Sequence, residues 1–269
     1  MWLAQGKCTK ILIYANSKQQ ATENLCVCAP KPRTGDYLTV MNVNDPEIIR
    51  LRETVAAARE EFDLAVIFHE TWKPAAYDED LHKRMGVSFA TNAFHVVRIA
   101  LRREIWLALT RLWDKRPDAV RMEFVAKTLR KPHVINALAA DRATRLPAAE
   151  IQIRQHLTQT AKQAIELIDK YANDGSTRQK LQTLRHERLA HREIAAVTGI
   201  SATDEEVEAF YQDLSKLISL LLSLVMANAY DPDDTAEVYR FHGKFFWAAV
   251  RGERTEGHPN FRAPGQQKG

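Results

Sequence analysis

Between Glu47 and His242 the chain carries three glycines, Gly86, Gly175 and Gly199. So sparse a supply of helix breakers suits long helices joined at a few marked points. Asp45 stands as an N-cap with Pro46 in the first turn. Ile48, Leu51, Val55, Ala58, Phe62, Ala65, His69 and Trp72 then follow at alternating spacings of three and four. That spacing is a seam for packing against other helices, and Pro74 is expected to close it. A second long helix is predicted from about Asp78 to Asp114. It carries Phe94, Val97, Leu101, Ile105, Leu109 and Leu112 on one side, with Gly86 as a kink or interruption. Shorter helices are expected after Pro117 and Pro132, and a long one from Pro147 to Asn173. Ser176 caps the next helix, which Gly199 interrupts. Thr203 with Glu206 is a capping-box signature ahead of an apolar helix through Phe210, Leu214, Leu217, Leu221 and Leu224. Asp231-Pro232 stops that helix, and a last aromatic one runs through Val238, Phe241, Phe245 and Ala249. No β-alternation of useful length follows residue 41. The expected fold class is an all-α helical bundle with long antiparallel helices.

The first forty residues are of a different kind. They hold all three cysteines, Cys8, Cys26 and Cys28, and a charge of +3 out of the chain's +4. Cys26-Val-Cys28 lacks the spacing of a redox or zinc pair, so the thiols read as incidental. An odd cysteine count in a chain of 269 residues suits a reducing cytosol, hence a cytoplasmic protein. No apolar run reaches the length of a membrane span, the richest being Leu217 to Ala227. Met41 precedes the helix-entry signal Asn42-Val43-Asn44-Asp45-Pro46. Residues 1–40 are therefore expected to be an appendage, translated from an upstream start or poorly ordered. A short β-hairpin capping the domain is the competing reading. Residues 41–251 form the bundle and 252–269 a flexible tail.

The chemistry is concentrated between Arg178 and Arg192. That stretch has Arg178, Lys180, Arg185, Arg188 and Arg192 against one acid, Glu187, and it includes His186 and His191. Leu181, Leu184, Arg188 and His191 follow a core-facing heptad path, with Arg185 one position beside it. Polar groups on a seam need partners or a site, because burying them unpaired costs free energy. His186-Glu187 and His191 miss the H-E-x-x-H zinc motif by one residue, which turns the second ring about 140° around the helix. Neither a glycine-rich phosphate loop nor a nucleophile elbow is present. What remains is arginine and histidine, with no metal and no cofactor expected. That pair is sufficient for RNA, which carries its own nucleophile in the 2′-hydroxyl. Histidine can move the protons near neutral pH and arginine can hold the crowded phosphorus.

Leu184 to His191 reads LRHERLAH. It resembles the R-x4-6-H signature of HEPN domains, here R-x5-H, with His186 after the arginine and the small Ala190 before the histidine. Leu109 to Lys115, LTRLWDK, is similar to the end of the long second helix in the AbiU-type abortive-infection branch. The resemblance covers roughly Asp45 to Tyr230. It implies a homodimer whose motif helices face each other across a two-fold axis and line a shared RNA-cutting cleft. Arg185 would contact the scissile phosphate and His191 would be the acid–base residue. His186 would support them, and Arg188 and Arg192 would bind RNA. A toxin or phage-defence effector of this kind is expected to have an antitoxin or inhibitor protein as partner. The alternative is a catalytically inactive HEPN-like interaction module that uses the same helix as a partner surface.

Overall fold

The computed structural model describes residues 45–85, 91–114, 116, 118–173, 176–185 and 202–250. Among these residues there are nine α-helices and one short 3₁₀ turn, and no strand. The helices are α1 (Pro46–Tyr77), α2 (Glu79–Met85), α3 (Thr91–Arg111), α4 (Met122–Leu129) and α5 (Pro132–Ala143). They continue as α6 (Glu150–Ala172), α7 (Thr177–Leu184), α8 (Asp204–Met226) and α9 (Pro232–Val250). The all-α bundle expected from the sequence is what forms.

The Asp45 carboxylate accepts from the Glu47 backbone N–H at 2.7 Å, satisfying one of the orphan donors at the start of α1. All eight seam residues from Ile48 to Trp72 are buried, so α1 is the central strut. It runs antiparallel to α3, with Arg111 bonded to Glu61 at one end and Arg102 beside Trp72 at the other. It is antiparallel also to α8, where Phe62 stacks on Tyr211 and His69 meets Glu208. With α9 it is parallel: Asp63, Glu70 and Thr71 meet Tyr230, Arg240 and Trp247 in the same order. α6 covers the far side of α8, with Tyr171 against Phe210, and α4 and α5 pack on α6.

α8 is long and apolar enough to cross a membrane by length and composition alone. Here its apolar stripe, from Phe210 through Leu214, Leu217 and Leu221 to Val225, is buried in the bundle. Its last turn is closed by Arg142, whose guanidinium donates to the carbonyls of Ser223 and Leu224, a cation at the negative end of the helix dipole.

Two sequence expectations are corrected, for Pro74 and Val97, and the helix expected over 78–114 is described on both sides of Gly86. Pro74 does not end α1, which continues to Tyr77, with the Asp78 N–H bonded to the Pro74 carbonyl. The proline removes its own donor and its ring crowds the carbonyl four residues back, that of Glu70, which lies at the close approach of Gly243 on α9, where packing holds the last turn in place. The helix expected over 78–114 is described as α2 and α3, with 86–90 outside the described residues, and α3 ends at Arg111. Val97, expected on the inner side of α3, is 38% exposed. The first half of α3 packs chiefly through Phe94 on Trp247 of α9, which leaves Val97 at the side. In α9 itself the buried face is Ala236, Gly243 and Trp247, while Val238 and Phe241 face outward.

Candidate functional site

α7 leads into the stretch that carries the basic and histidine residues. Ser176 starts it, its hydroxyl accepting from the Gln179 backbone N–H at 3.3 Å. Leu181 and Leu184 are buried, as the heptad path required. Arg178 is not a surface cation: it is 6% exposed and turned back on the end of α6. Its Nε donates to the Tyr171 carbonyl at 2.6 Å, one Nη to the Ala172 carbonyl at 3.2 Å, and the other to Gln182 Oε1 at 3.0 Å. Its guanidinium also lies over the Trp113 ring at 5.6 Å. Arg178 thus closes the C-terminus of α6. Lys180 is ion-paired with Glu206 on α8. Gln182 donates to the Trp113 carbonyl at 3.2 Å, joining α7 to the end of α3.

Two of the five cations counted along this stretch therefore serve the fold. Arg185 does not. Its backbone continues the helix, its N–H reaching the carbonyls of Gln182 and Leu181. Its side chain is half-exposed and has no hydrogen-bond or ion-pair partner among the described residues. His186, Arg188, His191 and Arg192 lie outside the described residues, within 186–201. Arg185, at the end of α7, is the one sequence-predicted site residue among the described residues.

At the start of α8 both halves of the capping box form. Thr203 Oγ1 accepts from the Glu206 N–H at 3.2 Å, and Glu206 accepts from the Thr203 N–H at 3.0 Å. Asp204 is ion-paired with Arg102 on α3, and Glu206 with Lys180 on α7. Residues 186–201 are thus bounded on both sides by helix ends tied to each other. Just past the end of α3, Asp114 accepts from the Arg116 backbone N–H at 3.1 Å.

A second polar cluster went unnoticed in the sequence, where His69 appeared only as a member of the α1 seam. His69 is 3% exposed, with Nδ1 3.1 Å from Glu70 Oε1 and Nε2 2.7 Å from Glu208 Oε2. Arg240 donates to the other Glu70 oxygen at 2.9 Å, and the His69 ring stacks on Tyr211 at 4.0 Å. Burial opposes charging His69, but hydrogen bonds and charge from Glu208 and Glu70 outweigh it and raise its pKa. The bond from His69 draws the Glu208 carboxyl down to about 2, against its partial burial. The adjacent void is only about 10 Å³, too small for a substrate. This cluster therefore ties α1, α8 and α9 together, and is not a reaction site. Among the described residues no three His, Cys, Asp or Glu side chains converge as a metal-ligand set.

A family model of the HEPN type described as AbiU2 matches residues 48–246, well over half of the chain. The match spans α1 to most of α9 and includes Arg185 and the stretch to His191. No curated protein and no solved structure matches the chain.

Proposed function

The chain belongs to the AbiU2 family of HEPN-domain proteins, and from that premise we propose that it is a metal-independent endoribonuclease of the toxin or phage-defence kind. The observation that carries the reading is Arg185. It is a cation with no hydrogen-bond or ion-pair partner among the described residues, at the end of a helix tied to α3, α6 and α8, where the family's R-x5-H signature begins. A purely structural arginine at this point would be expected to look like Arg178, with its donors taken up by its own chain.

In this mechanism Arg185 binds the scissile phosphate and offsets the charge that grows on its oxygens. His191, as general base, takes the proton from the 2′-hydroxyl, whose oxygen attacks phosphorus and forms a 2′,3′-cyclic phosphate. The 5′-oxygen leaves and receives a proton from the conjugate acid, which the facing protomer's copy of the motif supplies in a homodimer. His186 supports this pair, and Arg188 and Arg192 hold flanking phosphates. A dedicated inhibitor protein would keep the activity in check. The inactive interaction module predicts a motif arginine saturated by acids of its own chain, and Arg185 lacks such acids among the described residues.

The test uses the purified full chain, end-labelled RNA and EDTA. Wild type should cut, while Arg185→Ala and His191→Ala should each lose at least a hundredfold in rate. Cutting that survives both substitutions would show the site to be misassigned.

A further inference from the structure

Beside the mouth of α8 lies a cleft of about 140 Å³ walled by the end of α1, the first half of α3 and Asp204. Small-molecule sites usually measure about 300–1,000 Å³, so this cleft is sized for a single ring system. Arg98, Arg102 and the rings of Trp72 and Tyr77 line it. Three of these side chains are incompletely used by the fold. Trp72 is 7% exposed, and its buried indole N–H has no acceptor. Tyr77 is 55% exposed and meets Trp72 edge-on, with centroids 5.5 Å apart at 77°, so the pair is not stacked face to face. Arg98 is half-buried, with no hydrogen bond or ion pair among the described residues. Arg102, by contrast, is engaged, paired with Asp204 and lying over the Trp106 ring at 4.8 Å.

We propose that this cleft binds one nucleotide of a single-stranded RNA: the base stacks on the exposed Tyr77 ring beside Trp72, and Arg98 holds its phosphate. Aromatic stacking with a nearby cation is how sequence-tolerant single-strand sites work, because every base has a π-face. The electrostatics assign the two ends. The Tyr77 hydroxyl is pushed up by burial and by the carboxylates of Asp204, Glu208 and Glu205, against the opposing charge of Arg102; on the α8 side Arg102 is taken up by Asp204, which leaves Arg98 as the available cation. The phosphate therefore belongs on Arg98, across the cleft. The position fits a flanking nucleotide. Asp204 opens α8 directly after residues 186–201, and two residues on, Glu206 is tied to Lys180 of the helix that ends at Arg185. The proposal rests on RNA being the substrate, yet the subsite can fail without the ribonuclease reading failing.

The probe is a fluorescent 2′-O-methyl oligoribonucleotide, which a 2′-hydroxyl-dependent nuclease cannot cut, titrated into the full chain. Tyr77→Ala should weaken binding about tenfold and Tyr77→Phe should leave it within twofold, since the ring persists. Arg98→Ala should weaken it about fivefold and lower the salt slope by about 0.7, the share of one phosphate on a single strand. Thermal melts of each variant establish that the fold is kept; Tyr77 and Arg98 lie far enough outside the core for their substitution to be tolerated. Affinities of Tyr77→Ala and Arg98→Ala within twofold of wild type overturn the subsite, as does a wild type that does not bind the strand. Unchanged affinities in variants of an enzyme that still cuts RNA would sink the subsite alone. Binding that depends on Tyr77 and Arg98 in a protein that never cuts would sustain the subsite and sink the nuclease.

Discussion

Arg178→Ala should destabilise the protein by about 3–5 kcal/mol, the range for leaving a buried charge-assisted network without its centre. The figure follows from the geometry. Arg178 is 6% exposed and makes three hydrogen bonds, to Tyr171, Ala172 and Gln182, at 2.6, 3.2 and 3.0 Å. Each bond involving a charged group is worth about 1.5–3 kcal/mol, and bonds sharing one side chain do not add fully. The variant also loses the packing of the guanidinium on Trp113. Arg178→Lys keeps the charge but not the planar fork, and should still lose about 1–3 kcal/mol. Urea denaturation followed by circular dichroism gives the stability, and the same samples give affinity for RNA. A destabilised Arg178→Lys with unchanged RNA affinity when folded is the expected pair of results. If Arg178→Ala lies within about 0.5 kcal/mol of wild type, typical of a surface site, and binds RNA more weakly, then Arg178 is a phosphate contact and its role as the end of α6 is refuted.

Stability should also depend on pH through the His69 cluster. His69 has a raised pKa, so its contribution is complete below the unfolded value of about 6.5 and fades as pH rises through the higher folded value. Glu208, at about 2 in the fold, contributes above its ordinary value of 4.5 and loses this as pH falls towards 2. The two limits place the cluster's greatest contribution between 4.5 and about 6.5, at about 1–2 kcal/mol once solvent screening of the partly exposed Glu208 is counted. Melting temperatures of wild type and His69→Gln across pH 3–9 should differ most in that window; a pH-independent difference would contradict the assignment. Gly243→Ala places a methyl group 2.9 Å from the Glu70 carbonyl oxygen, where α1 and α9 touch. It should cost about 1–3 kcal/mol by calorimetry, and a neutral result would mean that α9 sits farther from α1 than described.

Local signals in the sequence were reliable. The caps at Asp45, Ser176 and Thr203 form as their residue types require, and the α1 seam is buried along its length. Each depends on neighbours within four residues. What the sequence hid depends on partners brought together by folding. Arg178 and Lys180 read as parts of a basic helix face, yet one closes α6 and the other holds α8. Glu208 reaches His69 from 139 residues away. In α9 the sequence showed an aromatic helix but not its buried face, which the close approach at Gly243 sets, with Val238 and Phe241 left outside. The effect on the candidate site is to narrow it. Of the cations between Arg178 and Arg185, only Arg185 remains unengaged among the described residues.

The most direct test of the central claim replaces a single 2′-hydroxyl. The purified protein is given, in EDTA, an RNA it cuts at a known position and the same strand with a 2′-deoxy nucleotide 5′ to that phosphate, and the products are weighed by mass spectrometry. The account predicts a 2′,3′-cyclic phosphate from the first strand and no cut at that position in the second. Cutting of the deoxy strand at the same phosphate, or a product ending without the cyclic phosphate stage, would contradict it.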